Sequence, residues 1–162
     1  MADIFTKTKR SAVMALIRGW GNKGTELKLI ILFKAHGILG WRRKASLFGK
    51  PDFVFPKLKL AIFVDGCFWH GCPTHATQPK SNVEFWQTKI ARNIARDRLV
   101  TRTLRSKGWR VMRIWEHELT RKYERRLLAR LRRAGLLPSV APDAPLVTPP
   151  AKPRTVTAKR VR

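Results

Sequence analysis

Apolar positions in this chain cluster in runs whose spacing alternates between helical and extended, which predicts a mixed α/β protein. From Thr25 to Gly37 the residues Leu27, Ile30, Ile31 and Phe33 recur at helical intervals. Thr25 stands where an N-cap belongs, Glu26 suits the first turn through the helix dipole, and Gly37 closes the segment. A shorter helix is expected over Ser11–Arg18, with Met14 and Ile17 on one side, followed by a loop bracketed by Gly19, Gly21 and Gly24. Ile38–Leu47 predicts an edge strand that runs into the basic loop Arg42-Arg43-Lys44. Phe53–Phe55 and Leu58–Val64 predict two strands joined by a turn at Pro56-Lys57. The stretch Leu60–Val64 lacks polar alternation, as a strand covered on both faces does.

A loop with two prolines spans Cys67–Asn82. Ser81 or Asn82 then caps a long helix from about Val83 to Lys107, with Trp86, Ile90 and Ile94 inward and Lys89, Asn93 and Arg96 on an adjoining side. Trp109–Trp115 predicts a further strand, and Leu119–Ala134 a last, very basic helix closed by Gly135. The organisation expected is a basic arm with a short helix over residues 1–24, one folded domain over 25–137 and a disordered basic tail over 138–162. The order of elements implies a small layered α/β fold with helices covering a sheet.

Charge changes the picture next. Lysine and arginine number 35 against 10 acidic residues, for a net +25. The tail supplies little of this: Lys152, Arg154, Lys159, Arg160 and Arg162 stand against Asp143. The folded part itself is therefore strongly basic, which implies a polyanionic partner. No apolar segment is long enough to span a membrane. The start of the chain carries no cleavage-like motif, so a cytoplasmic, reducing location is expected, where Cys67 and Cys72 serve as ligands or thiols and not as a disulfide.

The candidate chemistry is concentrated between Lys50 and His75, in KPDFVFPKLKLAIFVDGCFWHGCPTH. Asp52 opens one predicted strand and Asp65 ends its hairpin neighbour, so an antiparallel pair brings the two acids together. Two adjacent carboxylates repel unless a cation lies between them, and Mg²⁺ takes one or two protein carboxylates with water and phosphate. Pairing of each acid with one of the many nearby lysines or arginines is the equal alternative. Glu26 is a possible third acid. His70, five residues beyond Asp65, has an unperturbed pKa near neutrality and suits proton transfer.

Cys67, Cys72 and His75, with the distant His117, combine thiolates and imidazoles in a set that suits tetrahedral Zn²⁺ in a closed site. Glu116 or Glu118 are alternative fourth ligands, and His70 can compete. Two unrelated thiols and histidines are the equal alternative. Phe68 and Trp69 lie between the two sets, where large aromatics of a basic protein either stack on bases or pack in the core.

With these residues assembled, the chain resembles the very-short-patch-repair (Vsr-type) DNA mismatch endonucleases. The matching segments are RSAVMALIRG, GTELKLIILFKAHG, GKPDFVFPKLKLAIFVDGCFWH, EFWQTKIARNIARDR and GWRVMRIWEHEL. The resemblance implies a restriction-endonuclease-like three-layer fold, a central mixed sheet flanked by helices, with a structural zinc and a catalytic Mg²⁺. It implies Asp52 as the metal-binding Asp, Glu26 as the helix acid, His70 as the catalytic His and Cys67 as a zinc ligand. Met14, Phe68, Trp69 and Trp86 match positions that touch or intercalate near the mismatch, and Lys89 and Asn93 are candidates to orient phosphate. His117 falls where the family has a cysteine in Trp-Glu-Cys. The family reads Thr-His where this chain has Val64-Asp65, which supplies a carboxylate in place of a histidine.

The function expected is a monomeric, Mg²⁺-dependent endonuclease on double-stranded DNA, associated with the nucleoid, that nicks T:G-mismatched duplex. Asp52 and Asp65 hold the metal, Glu26 assists through water, and His70 handles a proton. A Vsr-like nuclease of restriction or phage defence is the second reading. A non-catalytic, zinc-stapled DNA-binding module is the third.

Overall fold

The uninterrupted apolar run does become a central strand. In the computed structural model, which describes residues 24–77 and 79–138, Leu60–Asp65 is the middle strand (β2) of a three-stranded sheet. Phe53–Phe55 (β1) pairs with it antiparallel, with Phe53 opposite Ile62. Arg110–Trp115 (β3) pairs on the other side in parallel, with Leu60 opposite Arg110 and Asp65 opposite Trp115. A parallel neighbour requires a crossover, supplied here by the long helix Val83–Ser106 (α2). Glu26–Ala35 (α1) precedes the sheet and Glu124–Arg133 (α3) follows it.

Strand alternation assigns the two faces. Phe53, Phe55, Leu60, Ile62 and Ile114 meet Leu29 and Phe33 of α1 and Leu127 and Leu131 of α3. On the opposite face Ala61 and Phe63 meet Val100 and Leu104 of α2. The protein is thus an α/β molecule with helices on both faces of a mixed sheet. Ten of its largest side chains are almost wholly buried, nearly all on the α1–α3 face.

Several expectations change. The edge strand over Ile38–Leu47 reduces to one bridge, in which Arg42 and Val54 exchange backbone hydrogen bonds of 2.8 and 2.9 Å. Two positive-φ residues, Gly40 and Lys44, interrupt the extended path there. In α1 the buried positions are Glu26, Leu29 and Phe33; of the expected stripe Phe33 is buried and Ile30 packs on the core, while Ile31 is 67% exposed. Thr25 makes no side-chain cap. Asn82 precedes α2 in a left-handed conformation and does not cap it either. The last helix is entered through two short 3-10 turns, Glu116–Leu119 and Arg121–Tyr123. The short helix over 11–18, Met14, and most of the predicted arm and tail lie outside the described residues.

Gly49 carries a testable consequence. Its φ is +77°, and a Cβ there would overlap the Val100 side chain. Gly49→Ala is expected to destabilise by about 1–3 kcal/mol through backbone strain and overpacking. Adding Val100→Ala removes the overlap, so the double variant should lose less than the sum of the singles in urea melts.

Candidate active and metal centres

Parallel pairing points the carboxyl ends of β2 and β3 to the same edge of the sheet, where ligands of α/β proteins commonly bind. The segment after β2 carries Cys67, Phe68, Trp69, His70 and Cys72, and the turn after β3 carries His117. Two donor groups form among the described residues: Cys67, Cys72 and His117, and Asp65, His70 and Asp97.

In the first group His117 Nδ1 lies 3.2 Å from Cys67 Sγ and 3.7 Å from Cys72 Sγ. His75 Nδ1 is 4.0 Å from Cys72 Sγ, and its ring stacks on His117 with centroids 4.1 Å apart. The four residues expected to share a metal therefore gather, three of them tightly. Ligands held 2.0–2.3 Å from one tetrahedral ion sit roughly 3.3–3.8 Å apart, so the donors fit a closed metal site. Burial pushes the Cys67 thiol up. Burial acts in the same direction on Cys72, but hydrogen bonds with Thr74 and His75 outweigh it and bring that thiol to about 7. Burial, with His75 beside it, holds the His117 imidazole below its usual value. The alternative fourth ligands have other partners. Glu118 accepts from Arg130 at 2.5 and 2.6 Å and from the Trp115 N–H at 2.9 Å, while Glu116 accepts the Cys67 N–H at 3.3 Å.

The second group is a chain of contacts. Arg113 donates through Nε and Nη2 to the two oxygens of Asp65, each at 2.6 Å. Nη2 also lies 3.0 Å from Asp97 Oδ1, and Asp97 Oδ2 is 2.5 Å from His70 Nδ1. The guanidinium carbon sits 4.9 Å from the centre of the Phe63 ring. Burial raises the Asp97 carboxyl, but His70, Arg113 and Arg96 outweigh this and hold it low. Burial likewise lowers Arg113, and its two carboxylates more than restore it. The group opens on a cleft of about 500 Å³ whose other wall includes Arg98, Arg102 and Arg105 of α2.

Asp52 makes none of these contacts, although Asp65 is near enough to act on its charge. It stands just before β1, and one oxygen accepts the Val64 N–H of β2 at 2.7 Å. It lines a second cleft, of about 620 Å³, with Glu26, Arg43, Lys44 and Lys50. Glu26 is buried and pairs with Arg43. Burial, with Glu26 and Asp65 nearby, raises the Asp52 carboxyl to about 6. The expectation of one ion shared by Asp52 and Asp65 is therefore not how these side chains sit: both oxygens of Asp65 face a guanidinium.

The aromatic and polar candidates cluster beside the loop. Phe68, Trp69 and Trp86 contact one another edge to face at 5.2–5.7 Å. Lys89 lies 5.4–5.7 Å from the rings of Trp69, Phe85 and Trp86. Asn93 donates to the Trp69 carbonyl at 2.9 Å, so its amide holds the loop. Asp97 and Arg113 were absent from the sequence-based set. Asp97, an isolated acid in a basic helix one turn after Asn93, was the available signal.

An α/β protein with two donor clusters at one sheet edge, one rich in thiolate and imidazole and one in carboxylate and imidazole, is the class the geometry defines. A family model described as DNA mismatch endonuclease Vsr matches residues 2–76. The type II nicking enzyme V.NmeDIP of Neisseria meningitidis serogroup C is 41% identical over 121 residues, covering 74% of this chain and 81% of that enzyme. The DNA mismatch endonuclease Vsr of Escherichia coli K12 is 38% identical over 117 residues, covering 72% and 74%. The nicking enzyme V.NaeI of Lentzea aerocolonigenes is 55% identical over 69 residues, 43% of this chain and 42% of that enzyme. The chain belongs to the Vsr family of DNA endonucleases and nicking enzymes. No helix among the described residues is long and apolar enough to cross a membrane.

The Asp52 carboxyl predicts a pH dependence. Its folded pKa of about 6 exceeds the ordinary 3.8, so the folded protein binds the proton more tightly than the unfolded chain. The stability this gives is fully present below pH 4 and is lost as pH rises through 6. Relative to Asp52→Asn, the metal-free protein should lose about 2 kcal/mol between pH 4 and 7, measured by urea unfolding at each pH. A divalent cation that binds Asp52 should recover part of that loss.

Proposed function

We propose that this protein is a Mg²⁺-dependent endodeoxyribonuclease that nicks one strand of double-stranded DNA beside a T:G mismatch, as in very short patch repair. The observation that carries the reading is the Asp52 carboxylate, set among Arg43, Lys44 and Lys50 with no arginine fork on it among the described residues, in a chain that also brings His70 against Asp97. Asp52 would hold the magnesium, with Glu26 assisting through water. The bound ion would supply charge neutralisation on the phosphoryl oxygens and a lowered pKa of its water. Asp97 accepts from His70 Nδ1, which leaves Nε2 to exchange a proton with water or the leaving oxygen. Phe68, Trp69 and Trp86 would wedge into the duplex at the mismatch, and Lys89 would follow its phosphates. Cys67, Cys72, His75 and His117 would hold a structural zinc that fixes the loop. The protein would act as a monomer in the cytoplasm, where the nucleoid lies.

A second reading, a nicking enzyme that accompanies a restriction system and has another target, draws on the five relatives named type II nicking enzymes and on Val64-Asp65. A panel of T:G, other mismatched and matched duplexes with Mg²⁺ separates the two. Nicking confined to T:G is expected. Asp52→Ala and His70→Ala should each lower the rate by at least about 100-fold. Equal cutting of matched duplex, or undiminished rates in both variants, refutes the assignment. Elemental analysis should find about one zinc per chain, lost in Cys67→Ser together with thermal stability.

A further inference from the structure

We propose that Asp65 and Arg113 are positioning residues: the guanidinium, anchored by both oxygens of Asp65, fixes Asp97, and Asp97 fixes which nitrogen of His70 carries the proton. The inference rests on reading His70 as the proton-handling group and adds two residues to its support.

The geometry runs in one direction. Asp65 ends β2 and Arg113 lies on the neighbouring strand two residues before its end, so the pair spans the parallel ladder on one face. Asp65 spends both oxygens on Arg113. A divalent cation on that carboxylate would sit against the guanidinium charge, which disfavours a metal-ligand role for Asp65. Arg113 spends Nε and Nη2 on acids, and its Nη1 is buried without a partner in the described structure. An arginine with an orphaned N–H, buried over Phe63, is costly by itself, and its fork is satisfied only while both acids stay in place. Asp97 is thereby held through Oδ1, on a helix otherwise free to turn its side chain toward Arg96 or solvent. With Oδ1 occupied, Oδ2 accepts from His70 Nδ1, which leaves Nε2 unused by this pair in a residue that lines the cleft. His70 is also 3.6 Å from Asp65 Oδ1, so without Arg113 the imidazole has a choice of two carboxylates.

The test uses the full chain labelled with ¹⁵N-histidine, free of DNA, together with nicking kinetics on T:G duplex. Wild type should show His70 protonated at Nδ1 with Nε2 bare. Arg113→Met and Asp65→Asn should each mix the tautomers and lower kcat on the order of 10- to 100-fold, with KM and the half-saturating Mg²⁺ concentration unchanged. The double variant should be no slower than the worse single. If Arg113→Met does not fold, Arg113→Lys keeps the charge but loses the fork and gives the same readout. Unchanged His70 resonances in both single variants overturn the proposal. A raised Mg²⁺ requirement in Asp65→Asn, with Arg113→Met fully active, overturns it in favour of Asp65 as a metal ligand. A wild type that nicks no duplex defeats the nuclease reading alone, because the tautomer comparison needs no activity.

Discussion

Six residues of β2 run beside six of β3 in the same direction and in register, from Leu60–Arg110 to Asp65–Trp115. Because both strands end together, whatever follows each one is delivered to the same place. The Cys67–Cys72 loop and the His117 turn are 45 or more residues apart in sequence, yet their sulfur and nitrogen atoms lie within 4 Å. A slip of one residue would turn Asp65 and Arg113 to opposite faces and bury neither in the company of the other. The cooperating core contacts on both faces, Ile62 and Ile114 on one and Ala61 and Phe63 on the other, make such a slip expensive.

A protein with net +25 has few acids to spend, and their use is informative. Three are buried with an arginine: Glu26 with Arg43, Asp65 with Arg113 and Glu118 with Arg130. Each pair joins separate parts of the chain. Arg130 also donates to the Arg113 carbonyl at 2.6 Å, so α3 is fastened to the strand that carries the site. A buried pair broken on one side leaves a charge without compensation, and such contacts hold geometry more than they add stability. Asp52 departs from this pattern. It has a backbone N–H and a raised pKa but no guanidinium bound to it among the described ion pairs. A carboxylate left underneutralised in so basic a protein is the feature on which the proposal of a bound cation rests.

The parts of this structure legible in the sequence are those that depend on local chemistry. The unalternating run Leu60–Val64 revealed a doubly covered strand, and the soft donors Cys67, Cys72 and His117 do gather despite the distance of the last, with His75 beside them. Pairing among charged groups was not legible. Asp65 had 35 basic residues to choose from, and only the parallel register selects Arg113. Asp97 was hidden for the same reason: its importance comes from facing His70 across a crossover. The edge strand failed because apolar content at Ile38 and Leu39 resembles a strand, whereas Gly40 and Lys44 take positive φ and break its path.

One short loop carries residues for three different jobs, and its rigidity explains how they coexist. Between Gly66 and Cys72 the backbone folds on itself through the bonds His70 N–H to Gly66 O at 3.2 Å and Cys72 N–H to Cys67 O at 2.9 Å. Asn93 holds the Trp69 carbonyl from α2, and Gly71, at φ +62°, lets the loop press on Ile90 and Ile94 so closely that a Cβ would lie 3.0 Å from each. Within that turn the cysteines face the β3 turn, the aromatics face Trp86, and His70 faces Asp97. No residue of the loop can shift without disturbing a partner of another kind. The donor cluster built on Cys67 and Cys72 thus restrains His70 and the aromatic pair alike, although it touches neither the cleft nor the rings. This couples the packing of the Cys67–Cys72–His117 donor cluster to the placement of His70 and of Phe68 and Trp69, through a turn of only seven residues (Gly66–Cys72).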